Sequence, residues 1–121
     1  MKIICNRVDI IHRNSFQNFE NENWVVSTSD LITVNAHNGI QYEEETEDSE
    51  HGFLLNKTVT VRTNPYIYEH LRNSPLKYYL LKLYREDNSF FFVGDKNYPC
   101  TKEISTDKTE QSLVFITKKP L

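Results

Sequence analysis

Residues 77–93, Lys-Tyr-Tyr-Leu-Leu-Lys-Leu-Tyr-Arg-Glu-Asp-Asn-Ser-Phe-Phe-Phe-Val, form the stretch on which the reading of the fold turns. Two runs rich in aromatic and aliphatic residues flank a polar turn at Glu86-Asp87-Asn88-Ser89, the pattern of a β-hairpin. Strand alternation sends Tyr79, Leu81 and Leu83 to one face and Tyr78, Leu80, Lys82 and Tyr84 to the other. A two-residue Asp87-Asn88 loop predicts Leu83 opposite Phe92 and Tyr84 opposite Phe91. Both faces are then apolar. One must meet the domain core; the other must meet a helix, a second sheet or another chain, because monomers rarely expose an aromatic patch of that size. Tyr78, Tyr84, Phe91 and Val93 are the residues this reading assigns to a subunit interface.

The rest of the chain repeats the β signature in short runs separated by Asn, Asp, Ser and Pro. Residues 2–11 predict a strand with an irregularity near Asn6, and residues 24–28 a second strand. In residues 31–42, Ile32, Val34 and Ala36 alternate with polar residues up to Asn38-Gly39. A three-residue loop, His37-Asn38-Gly39 with Gly39 left-handed, keeps Ala36 with Ile40 and Val34 with Tyr42 on one face, so a hairpin is predicted there. Val59 and Val61 share a face of the next strand. Asn64-Pro65 reads as a helix cap followed by proline at the first helical position, predicting a two-turn helix over 66–73 that Ser74-Pro75 stops. Leu113, Val114, Phe115 and Ile116 belong to the closing strand. The expected fold is mainly β: an antiparallel β-sandwich or partly open barrel with one short helix.

With 121 residues the chain is one domain, residues 1–121, large enough to bury a core without staples. The net charge of −3 hides an asymmetry, since Glu43, Glu44, Glu45, Glu47, Asp48 and Glu50 stand together without a base. Residues 42–52 therefore read as an acidic, mobile loop that faces a basic partner or a neighbouring subunit, and residues 118–121 as a short C-terminal tail. No basic cluster answers the acids, which leaves nucleic-acid binding without electrostatic support. The apolar run at the N-terminus is too short for a signal peptide, and no run approaches a membrane span. The chain reads as made in a reducing cytoplasm, with Cys5 and Cys100 as free thiols.

Catalytic chemistry finds no foothold in this pattern. His12, His37, His51 and His70 lie in four unrelated segments without metal-ligand spacing. The glycines at 39, 52 and 94 cannot build a phosphate loop, no serine sits in a nucleophile elbow, and Cys100 has no adjacent base. The expectation is no enzyme, no metal, no cofactor and no small-molecule substrate. Tyr66, Tyr68, Tyr78, Tyr79 and Tyr84 leave a sugar-binding platform as one binding alternative. A small immunity- or antitoxin-like inhibitor that presents Glu43 to a basic enzyme along with the other acids is another.

Residues 58–121 resemble a type of small protein encoded in the neck and tail modules of phages and prophages of Bacteroides, including the crAss-like phages. The matching pieces run in order. The strand Thr58-Val59-Thr60-Val61 precedes a segment ending near Asn73-Ser74-Pro75. The apolar strand Tyr79-Leu80-Leu81-Lys82-Leu83-Tyr84 follows, then the polar turn Glu86-Asp87-Asn88, a return strand ending in Gly94, and Tyr98-Pro99. The closing strand Ser112-Leu113-Val114-Phe115 leads into a Lys/Pro tail. The resemblance implies a non-enzymatic virion structural protein, a homo-oligomeric ring or collar subunit at the portal, neck or tail. It would be made in the host bacterial cytoplasm and partnered by copies of itself and by portal, neck or tail components. It carries over no catalytic residues, no cofactor, no membrane and no sequence-specific nucleic acid. A ring protomer needs two different adhesive surfaces, which the two-sided hairpin at 78–93 could offer.

Overall fold

Nine strands and one 3-10 turn make up most of the computed structural model, which describes residues 2–20, 23–27, 30–50, 52–63, 77–106 and 110–121. The strands are β1 (Lys2–His12), β2 (Asn18–Glu20), β3 (Asn23–Val25), β4 (Ile32–Ser49), β5 (Gly52–Thr63), β6 (Tyr78–Tyr84), β7 (Phe90–Val93), β8 (Cys100–Thr106) and β9 (Gln111–Pro120); the 3-10 turn is Arg13–Ser15. Seven strands form one antiparallel sheet in the order β1-β4-β5-β9-β8-β6-β7, and β2 pairs with β3 alone. Because β6 also pairs with β1, the large sheet curls back into a partly closed ring. The mainly antiparallel β class follows from the sequence pattern. The two-turn helix expected over 66–73 lies outside the described residues.

Period-two alternation decides what fills the ring. Ile40, Val61 and Leu113 stand in one cross-strand row, and Tyr42, Val59 and Phe115 in the next. From the opposite wall, Val8 and Ile10 face Leu83 and Leu81. All of these are buried in one core cluster with Tyr79, Val93 and both cysteines. Burial of a side chain of this size contributes roughly 1.5–3 kcal/mol, so the ring interior dominates stability.

Four local expectations need correction. The hairpin expected at 37–39 is absent, because β4 runs unbroken through these residues. Between the pairs Cys5↔Ile40 and Arg7↔Asn35, β1 has only Asn6 where β4 has residues 36–39, so the apparent turn is a bulge. Gly39 has no positive φ; it is needed because a Cβ there would lie 3.0 Å from the Ala36 Cβ and 3.2 Å from the Arg62 carbonyl oxygen. The irregularity expected near Asn6 is the other half of that bulge.

The β6–β7 register differs by one residue from the expected one: Leu83 faces Phe91 and Tyr84 faces Phe90. The loop has three residues, with Asn88 left-handed at φ 68°, and the Asn88 N–H donates to the Arg85 carbonyl at 3.0 Å. The Asp87 carboxylate accepts from the Ser89 N–H and hydroxyl, fixing the turn, and these bonds hold its pKa below the usual carboxylate value.

The acidic segment 42–52 is mostly strand. β4 continues to Ser49, and the turn to Gly52 is the true hairpin. Gly52 has φ +110°, the conformation that excludes most side chains. The tail is strand as well, for β9 pairs with β5 as far as Leu54↔Pro120, and the Leu121 N–H donates to the Phe53 carbonyl at 3.1 Å. The last pairs that β1 and β8 make with these strands are Lys2↔Glu43 and Thr101↔Ile116. Beyond them β4, β5 and β9 leave the ring together as a three-stranded arm.

Candidate functional site

The four residues expected at a subunit interface do not share a face. Val93 is fully buried in the ring, and Phe91 packs against that core, edge-on to Tyr42 with centroids 5.0 Å apart. Their register explains it: with Leu81↔Val93 and Leu83↔Phe91, odd-numbered residues of both strands point inward. Tyr84 and Tyr78 lie on the outer face, and Tyr78 is exposed. Val93 and Phe91 therefore belong to the core.

The outer face of the hairpin is covered by a second sheet, one of the three options the sequence left open. Phe19 of β2 and Trp24 of β3 meet Phe92 with centroids 5.1 and 5.3 Å apart. Beneath them Lys82 is almost fully buried. Its Nζ lies 4.1 Å from the Phe90 centroid and 4.9 Å from that of Tyr84, and it donates to Asn23 Oδ1 at 3.0 Å. Ring faces and one amide oxygen take the place of water around this cation. Directly across β1, buried Asp9 accepts from Arg7 Nε and Nη2 at 3.1 Å each, Thr33 Oγ1 at 2.8 Å and Tyr84 OH at 3.1 Å. A carboxylate with four donors is a satisfied anchor, and its chemistry is structural.

The six acids fall on both faces of the arm. Glu43 accepts from Lys2 at 3.2 Å and from Gln41 at 3.0 Å. Glu47 accepts from Asn56 at 2.7 Å and from Lys118 at 3.1 Å, and these two donors hold its carboxyl below the usual carboxylate pKa. Glu44 accepts from Tyr42 OH at 3.0 Å; burial, with that hydrogen bond, pushes the Tyr42 phenol well above its ordinary pKa. Glu45, Asp48 and Glu50 are exposed. From residue 44 onward the outer edge of β4 has no paired strand among the described residues.

At the root of the arm lies a cavity of about 200 Å³ lined by Phe19, Phe92, Tyr98, Lys57, Lys119 and their neighbours. The connection from β7 to β8 forms its wall: Thr117 Oγ1 donates to the Tyr98 carbonyl at 2.8 Å, and Lys119 pairs with Asp95 at 3.5 Å. Lys57 is half-buried and stands directly opposite Glu44 on β4 and Thr117 on β9. Phe53 and Leu55 read in the sequence only as part of a strand region, and Lys57 continues the same face at i, i+2 and i+4.

The other chemical candidates stay dispersed. Cys5 and Cys100 are buried free thiols, and burial pushes Cys100 up to about 12, so it remains a protonated thiol at neutral pH. His12 packs on the Tyr79 ring, and burial, helped by nearby Lys102, lowers its pKa. His37 lies in β4, whereas His51 and His70 are outside the described residues. Among the described residues no group of three His, Cys, Asp or Glu side chains could hold a metal, and no helix is long and apolar enough to cross a membrane. Of the tyrosines read as a possible sugar platform, Tyr79 is buried, Tyr78 exposed and Tyr84 half-buried, while Tyr66 and Tyr68 lie outside the described residues. No protein-family model matches the chain, and no curated protein or solved structure is significantly similar to it.

Proposed function

We propose that the chain is a non-enzymatic structural subunit of a phage virion, one that assembles with copies of itself into a ring or collar at the portal, neck or tail. The observation that carries the assembly part of this reading is the arm. Three strands leave the ring together and end in an exposed Phe53, 59% accessible, next to an exposed Leu121. A projection tipped with apolar side chains is suited to reaching a neighbour. The virion part rests on the resemblance of residues 58–121 to the small neck and tail proteins. In this reading the protein is made in the host cytoplasm and ends in the particle, beside portal, neck or tail components.

The test is protein mass spectrometry on particles purified from cells that carry the gene. Recovery of the chain in fixed proportion to the portal and tail proteins supports the proposal; particles that lack it overturn it. A second reading, an inhibitor of a basic enzyme, is favoured by one observation, the acidic outer edge of β4 beyond Glu43, which no strand among the described residues pairs with. An edge lined with carboxylates can accept a strand from a basic partner. That reading predicts binding to a basic enzyme in low salt and release in high salt.

A further inference from the structure

We propose that Lys82 and Asn23 join through an isopeptide bond, a self-formed covalent link between the small β2–β3 sheet and the ring. The inference is independent of the virion reading and starts from the surroundings of one lysine. Lys82 is 5% exposed, and its Nζ is caged by the rings of Phe90 at 4.1 Å, Tyr84 at 4.9 Å and Phe92 at 6.0 Å. Among the described residues its one hydrogen bond goes to Asn23 Oδ1, at 3.0 Å. The carboxylate that stands directly opposite in register, Asp9, is taken up by Arg7, Thr33 and Tyr84. An ion pair would leave the lysine an inert cation. A buried amine that meets an amide in place of a carboxylate is a nucleophile held against an electrophile.

The same carbonyl is polarised from a second side. Asn23 Oδ1 also accepts from the Trp24 N–H at 2.8 Å, which pins the oxygen while the long lysine side chain stays free to shift. The amide carbon is one bond from that oxygen, and a small swing of the lysine end brings Nζ onto it, within about 3–3.5 Å, the range of a near-attack conformer. As Nζ bonds to Cγ, the negative charge that builds on Oδ1 faces the Trp24 N–H, which acts there as an oxyanion donor. The bond from Cγ to Nδ2 then breaks. One alkylammonium and one carboxamide become one secondary amide and one ammonium ion: Nζ keeps a single hydrogen, and its other two depart on the leaving nitrogen. Asn23 is exposed, so water reaches it to relay those protons and carry the ammonium away. The bond ties β3 to β6 across the stretch of chain that holds β4 and β5. A link between such distant residues restrains the unfolded chain as a disulfide does, and reductants do not open it.

Intact-mass measurement on the purified full chain tests this, after prolonged incubation of the folded protein near neutral pH and followed by proteolysis and tandem mass spectrometry. The wild type is expected one ammonia lighter than its sequence, with a branched peptide joining residues 23 and 82. Lys82→Met and Asn23→Ala should each keep the full sequence mass and yield no branched peptide. On a denaturing gel with reductant, the internally linked wild type should migrate ahead of both variants. The branched peptide of the wild type decides by itself, whether or not the variants fold. A wild type at its full sequence mass overturns the proposal. So does a wild type that has lost ammonia without that branched peptide, because succinimide formation at Asn38-Gly39 releases ammonia too.

Discussion

The three strands of the arm also run through the ring, and the two regions are held by different forces. Inside the ring, β4, β5 and β9 contribute rows such as Ile40, Val61 and Leu113 to a closed apolar interior. One residue pair beyond the row of Tyr42, Val59 and Phe115, the same positions become Glu44, Lys57 and Thr117. The backbone ladder does not change. What changes is the work of the side chains, from packing to hydrogen bonds and ion pairs such as Asn56 and Lys118 on Glu47. The contrast teaches that a strand forms wherever a neighbour supplies its ladder, and that the apolar core determines only where the stability lies.

Cutting each region in turn measures that contrast. Phe115→Ala opens a hole among the largest buried side chains of the ring and should lower stability by about 3–5 kcal/mol in urea unfolding. Less than 1 kcal/mol would mean that the ring is loosely packed and the contrast false. Asp9→Ala strips the acceptor from Tyr84 and Thr33 while Arg7 can turn to water, and should cost about 2 kcal/mol. At the ring's edge, Asn88→Ala at φ 68° should cost about 1 kcal/mol, whereas Asn88→Gly should leave the midpoint within error.

The smallest effect belongs to the arm. Glu47→Gln removes an exposed ion pair, and the unfolding midpoint at neutral pH is expected to fall only slightly. The pH sign follows from the lowered carboxyl of Glu47. Any stability it adds is present above the ordinary carboxylate pKa and is lost as pH falls through the lower folded value. The difference between variant and wild type, followed by acid titration, should therefore close in acid. A difference that widens there would show the arm coupled to the ring.

The ring was far more legible in the sequence than the arm. Tyr79, Leu81 and Leu83 announce a face by alternation alone, and β6 places them there. Asn38-Gly39 misleads because the residues that suit a turn also suit a bulge, and only the pairing of Cys5 and Arg7 with β4 distinguishes them. The acids at 43–48 misled for a longer-range reason. The partners that make them a strand, Lys2, Asn56 and Lys118, are scattered over the whole chain, and no local window contains them. Buried Lys82 was invisible for the same reason, since its aromatic and Asn23 partners come from β3, β6 and β7.

The pairing of β1 on both its edges also sets a schedule. Arg7 must meet Asn35 on one side and Tyr84 on the other, so β1 is fully paired only after β6, well along the chain, has been made. Until β6 emerges, one edge of β1, with Val8 and Ile10 beside it, has no native neighbour. Closure through such distant contacts is slow, and for a β topology of this kind refolding is expected in milliseconds to seconds. During that interval the nascent chain exposes the kind of apolar strand edge that a holding chaperone binds, and synthesis that stalls before Tyr84 should yield aggregates where synthesis that passes it yields native protein.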